Sequence, residues 1–150
     1  MPPTGPATLY TIGFTKSSAA HFFGRLQGAG VRRLIDVRLN NTSTLAGFTR
    51  RDDLAYFLSL HGIEYLNEPL LAPEPEMLKA IQSKNMSWDA YEAAYLALIE
   101  RRRVADALDR ALFVGPSVLL CSEAAAEHCH RRVLAEHLSE RWGDVEIVHL

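Results

Sequence analysis

Apolar positions along the chain switch between two periods, and the switches divide it into elements. Leu9-Tyr10-Thr11-Ile12 is a short β-prone run closed by Gly13, which predicts a first strand and its exit turn. Phe22, Phe23 and Leu26 then recur at i, i+1 and i+4. That is the stripe of a helix that Thr15, Ser17 or Ser18 can cap and that Gly28 to Gly30 ends. Leu34-Ile35-Asp36-Val37 returns to strand character. A strand, a helix and a strand within about 30 residues form a βαβ unit, whose strands run parallel. Thr49-Arg50-Arg51-Asp52 has capping-box spacing with Asp in the usual Glu place, ahead of a helix with core face Leu54, Phe57 and Leu58. Gly62 closes that helix, and residues 63–66 predict a third strand.

The second half begins irregularly. Pro69, Pro73 and Pro75 mark either a lid or a surface crossing, with a short helix over 77–81. Ser87 caps an amphipathic helix carrying Trp88, Tyr91, Tyr95, Leu98 and Ile99 on one face. The Arg101-Arg102-Arg103 run near its end suits the helix dipole and needs no ligand. A further helix is predicted over 104–112, and Val118-Leu119-Leu120 is apolar throughout, as a central parallel strand is. Residues 124–141 read as helix, and 145–150 alternate like an edge strand. The predicted fold is α/β: a single three-layer domain over residues 8–150, with a mostly parallel sheet of about five strands flanked by helices. A flexible leader at 1–7 precedes it.

Composition adds limits. A chain of 150 residues with 48% hydrophobic and 23% charged content is ordinary for one globular domain. The net charge of −2 gives no global attraction to nucleic acid or anionic membranes, so nucleic acid as a partner is unsupported by charge. No apolar run approaches the roughly 18 to 20 residues that span a bilayer. Two cysteines, and an N-terminus with neither a basic nor an apolar leader region, point to a reducing, cytoplasmic setting. Of the 16 basic residues 13 are arginine, which genomic base composition explains as readily as recognition of phosphate or carboxylate does. Oligomeric state is not legible.

The candidate chemistry gathers after the fourth strand, where Cys121 and Glu123 precede a helix carrying Cys129, His130, Arg131 and Arg132. A thiol near a helix N-terminus and an arginine is a better nucleophile, whereas an ordinary buried cysteine is a small hydrophobe. Cys129 pairs at i, i+4 with Val133 and is expected to pack on the sheet. A Cys121–Cys129 disulfide would be transient or redox-linked in a reducing compartment. Metal binding is not expected: neighbouring helix positions diverge by about 100°, which separates Cys129 from His130, and there is no Cys-x-x-Cys or His-x-x-x-His. No cofactor is expected either. Asp36 and Arg38 share one side of the second strand end, either as an ion pair or with Arg38 as a fork-shaped anion binder. Glu123 reads as a helix-dipole partner or as a general acid or base, and His130 as a pocket or a core residue. Phe48 and Tyr65 read as stacking platforms or as core.

Taken together, Tyr10-Thr11-Ile12-Gly13, Asp36-Val37-Arg38, Gly47-Phe48, and Cys121-x-Glu123 with Cys129-His130-Arg131 resemble the domain-of-unknown-function 488 family. The resemblance runs over roughly residues 9–150. It implies an α/β domain with the shared polar residues gathered in one cleft, and it implies no established activity. Phe14 and Thr15 depart from it, since many members carry His or Tyr and then Ser or Glu there. Asn40 departs as well, from a common proline.

The functional expectation is a pocket at the carboxyl ends of strands one, two and four. In the enzyme reading, Gly13, Asp36, Arg38, Phe48, His130 and Arg131 bind a nucleotide, a nucleic-acid base or another small anion, while Cys121 and Glu123 supply nucleophilic or acid–base chemistry. The rival readings are a non-catalytic nucleotide or nucleic-acid binding or sensing module, and a purely structural polar network.

Overall fold

Five short strands form an all-parallel sheet in the order β3-β2-β4-β1-β5 in the computed structural model, which describes residues 7–41, 47–121 and 129–150. The strands are β1 (Ala7–Ile12), β2 (Arg33–Asp36), β3 (Glu64–Asn67), β4 (Ser117–Leu120) and β5 (Val145–His149). All four residues of β4 are buried, because it is central and covered on both faces. Its neighbours hold it in register, with Ile12 and Asp36 both opposite Leu120. Strand β1 begins at Ala7, so the expected leader loses its last residue to the sheet, where Ala7 pairs with Val145.

Helices α1 (Ala19–Gly28) and α2 (Arg51–Leu60) cover one face. Phe22, Phe23, Leu26, Leu54 and Leu58 pack there with Ile12, Leu34, Val118 and Leu120. The other face carries α3 (Pro75–Gln82), α4 (Trp88–Arg101), α5 (Val104–Ala107) and α6 (His130–Trp142). Tyr95, Leu98, Ile99, Val133, Leu134 and Leu138 pack there against Leu9, Ile35, Val37 and Leu119. The result is the expected three-layer α/β domain.

Local chemistry sets the boundaries. Ser18 caps α1 by accepting the His21 N–H, and Ser87 caps α4 by accepting that of Ala90. The capping box at Thr49 does not form. Thr49 lies buried in a 3-10 turn (Gly47–Thr49), and α2 starts after an extended Arg50 with no side-chain cap. The helix expected over 104–112 is broken: Arg103 adopts a left-handed conformation (φ 53°), α5 is one turn long, and a 3-10 turn (Arg110–Phe113) follows. The proline-rich crossing is fixed in place. Tyr95 donates its hydroxyl to the Leu71 carbonyl (2.7 Å), and Arg102 donates to those of Leu70 and Ala72 (2.8 and 2.7 Å). That segment has the attachments of a surface crossing. Helix α6 is described from His130, and the part of its expected span over 124–128 lies outside the described residues.

Candidate functional site

The neighbours β1 and β4 send the chain to opposite faces, β1 into α1 and β4 into α6. Parallel sheets open a crevice at the carboxyl ends of such a pair. Cys121 stands at this point, one residue beyond β4, with its N–H donating to the Ile12 carbonyl (3.2 Å). Strand alternation turns its side chain, like that of Leu119, towards α4 and α6.

Cys121 forms a disulfide with Cys129. Cys129 is the residue before α6, with extended backbone (φ −142°, ψ 139°), so the divergence of neighbouring helical positions does not separate it from His130. The two sulfurs and a ring nitrogen of His130 lie within 4.8 Å of one another, all on buried residues. His130 Nδ1 is 3.9 Å from the Cys121 sulfur, and Nε2 is 3.0 Å from the Val37 carbonyl oxygen. A carbonyl only accepts, so Nε2 carries the ring proton and Nδ1 presents its lone pair to the cysteines. Burial pushes the His130 pKa down to about 4, aided by the Arg131 charge and opposed by the Val37 bond and Asp36. The ring is neutral at pH 7. Tyr95 packs edge-on against it with ring centres 5.1 Å apart.

Asp36 and Arg38 form the other half of the site. Asp36 is fully buried and accepts from Arg38 Nε and Nη2 (both 2.8 Å), from the Arg38 N–H (3.1 Å) and from the Tyr65 hydroxyl (2.6 Å). Arg38 Nη2 also donates to the Thr49 carbonyl (2.8 Å), and its guanidinium lies 5.3 Å from the centre of the Phe14 ring. Of the two readings of Arg38, the ion pair is the one formed; among the described residues its Nη1, like Arg25 Nε, is buried without a hydrogen-bond partner. Phe14, where a polar residue is absent, supplies a π face to the cation. Burial and the Asp36 carboxylate push the Tyr65 hydroxyl well above its usual pKa.

The two halves lie back to back. Asp36 shares the side of Leu34, which faces α1 and α2, whereas Val37 faces α4 and α6. The Val37 peptide joins them, its carbonyl receiving the His130 bond. Arg131 is fully buried, and its Nε donates to the Thr11 hydroxyl (3.2 Å). That hydroxyl lies 2.6 Å from His149 Nδ1, and the tautomer of His149 sets which of the two donates. Gly13 is buried, with its carbonyl accepting from Arg25 (2.9 Å). Phe48 packs on Phe22 and Phe23, with ring centres 5.5 and 6.0 Å apart, in the α1-side core. Glu123 lies outside the described residues.

Sequence reasoning missed the Val37 carbonyl, the Tyr65 hydroxyl as a donor, and the Thr11–His149 link. A backbone carbonyl has no sequence signal. Tyr65 had one, since a tyrosine on a parallel neighbour can reach a strand-end carboxylate. Two surface cavities among the described residues lie elsewhere, one bordered by Arg103 and His137, the other by Gly30 and Gly62.

Fold and site together define a parallel α/β protein with a buried cysteine–histidine centre at its strand ends. The chain belongs to the family described as Domain of unknown function DUF488, which matches residues 18–138. That span includes Asp36, Arg38, both cysteines, His130 and Arg131, and leaves out Thr11 and His149. No curated protein and no solved structure gives a significant match. Among the described residues, no helix is long and apolar enough to cross a membrane.

Proposed function

We propose that the protein is a cytoplasmic thiol enzyme that acts, in its dithiol form, on a small anionic substrate, with nucleotides and nucleic-acid bases foremost. One observation carries this reading: the His130 Nε2 bond to Val37 leaves the Nδ1 lone pair 3.9 Å from the Cys121 sulfur. A neutral imidazole beside a thiol is a general base beside a nucleophile, and the negative sulfur formed next to the ring would offset the burial that otherwise holds its pKa at about 4. As the Cys121 sulfur bonds to an electrophilic carbon or phosphorus, its proton passes to Nδ1. The leaving group departs with its electron pair and takes that proton, which restores neutral His130. Water then displaces the sulfur by the same transfers in reverse. Glu123, two residues beyond Cys121, is a further acid or base for the leaving group. Arg131, buried beside the strand ends, favours an anionic substrate through its charge, whereas the Arg38 charge is offset by Asp36.

A second reading, a binding or sensing module without turnover, is favoured by the disulfide, which removes the nucleophile, and by the commitment of Arg38 to Asp36. The two separate by experiment. Protein reduced with a phosphine is treated with iodoacetamide and assayed against a panel of nucleotides and phosphate esters. The enzyme reading expects Cys121 to alkylate at least tenfold faster than Cys129, His130→Gln to remove the difference, and Cys121→Ser to abolish turnover. Ligand-induced stabilisation that persists in Cys121→Ser, with no turnover in the wild type, establishes the module instead.

A further inference from the structure

We infer that Cys121, Cys129 and His130, once the disulfide is reduced, supply three ligands to a site for a thiolate-preferring divalent cation of the zinc class. The inference does not depend on the enzyme reading above. Two cysteines and a histidine are a donor set that selects zinc and its analogues over magnesium or calcium. The three residues are 3%, 2% and 8% exposed, so the site is shielded from competing water. Zinc–sulfur and zinc–nitrogen bonds of about 2.3 and 2.0–2.1 Å in a tetrahedral arrangement place sulfur and nitrogen roughly 3.5 Å apart. The Cys121 sulfur and His130 Nδ1 stand at 3.9 Å, within a few tenths of an ångström of that spacing. Breaking the disulfide moves the two sulfurs from bonded to van der Waals separation, in the direction a shared metal requires.

The second shell is also in place. A ligating histidine commonly donates its other ring N–H to a carboxylate or backbone carbonyl, which fixes its tautomer and orientation. His130 does so through Nε2 to Val37, one buried residue beyond the end of β2. The ligands reach the point by different routes: Cys121 from the end of β4, Cys129 from extended backbone before α6, and His130 from the first residue of α6. Among the described residues three protein ligands are in reach, and a tetrahedral ion takes one further donor.

The metal and the disulfide exclude one another, because each claims both sulfurs. With metal bound, Cys121 is a ligand and not a free nucleophile, so metal loading and thiol attack compete.

Cobalt(II) is the probe. The protein is reduced with a phosphine, freed of reductant without air, and titrated with Co2+ and then Zn2+. The expected result is one Co2+ per chain with a near-ultraviolet thiolate-to-cobalt absorption and intense tetrahedral bands, bleached by Zn2+. Cys129→Ser, Cys129→Ala and His130→Gln should each weaken uptake at least tenfold while keeping the far-ultraviolet dichroism of the wild type. The disulfide form should show no thiolate absorption. The inference is overturned if reduced, folded protein with two titratable thiols gives no thiolate-to-cobalt band. It is equally overturned if folded Cys129→Ala and His130→Gln bind cobalt as the wild type does. None of these readouts is turnover, so a failed enzyme reading leaves the test intact.

Discussion

The imidazole Nε2 of His130 donates to the backbone carbonyl of Val37 across 3.0 Å, linking the first residue of α6 to the end of β2. Ninety-three residues separate the two in sequence. The bond sets the tautomer of the ring and thereby makes Nδ1, the atom nearest Cys121, an acceptor.

This buried ring makes stability depend on acid. In the unfolded chain the imidazole takes a proton near its ordinary 6.5, and in the folded protein only near 4. Between those values the unfolded state binds more protons, so stability rises with pH. The contribution is present in full above about 6.5, falls as pH drops towards 4 and is flat below; the interval corresponds to roughly 3 kcal/mol. Urea midpoints at pH 7, 5.5 and 4 should decline accordingly, and His130→Gln should remove most of the decline.

Asp36 and Arg38 are a buried pair, and their loss should be asymmetric. Asp36→Ala leaves a buried guanidinium uncompensated and should cost about 3–5 kcal/mol. Replacing both together, Asp36→Leu with Arg38→Met, should recover most of that loss. A double-mutant cycle by chemical denaturation measures the coupling; additive losses would show that the pair is not energetically linked.

Tyr65→Phe removes one of the four donors to Asp36 without opening a cavity. A hydrogen bond to a charged group is worth about 1.5–3 kcal/mol, so the variant should lose about that much. In an Asp36→Asn background the same substitution should cost distinctly less.

Reduction of the disulfide frees a short loop, since the two cysteines are eight positions apart. A bridge closing so small a loop stabilises by roughly 2–3 kcal/mol. Thermal unfolding with and without phosphine should show the loss, and the unreduced Cys129→Ala variant should resemble the reduced wild type. A melting temperature indifferent to reductant would show that the bridge contributes nothing to stability.

Much of the fold is legible in the order of residues. The apolar run at 118–120 announces a central strand, and Ser18 and Ser87 mark helix starts that the structure keeps. The failures are local. Nothing in residues 104–112 states that Arg103 turns left-handed and cuts the helix short, and Thr49 closes a 3-10 turn, so that Arg50 and not Thr49 precedes α2. The site is harder to read. Period-two alternation already places Asp36 and Val37 on opposite faces, yet β4's position between β1 and β2 is a tertiary fact, and that position brings Cys121 beside Val37. Treating Cys129 as helical also hid its closeness to His130, because capping residues do not obey helical spacing.

The position of β4 bears on how the chain acquires its structure. As synthesis proceeds from the N-terminus, β1, α1, β2 and β3 emerge as a sheet with its middle strand missing, since β1 and β2 meet only through β4. Leu34 and Ile12 have no shared neighbouring strand until Val118 to Leu120 arrive, more than eighty residues after Leu34. Such distant pairing makes folding slow and leaves strand edges open in the meantime. A nascent chain stopped before residue 117 should therefore bind chaperones and resist independent folding, and completion of β4 should close the two halves of the sheet together.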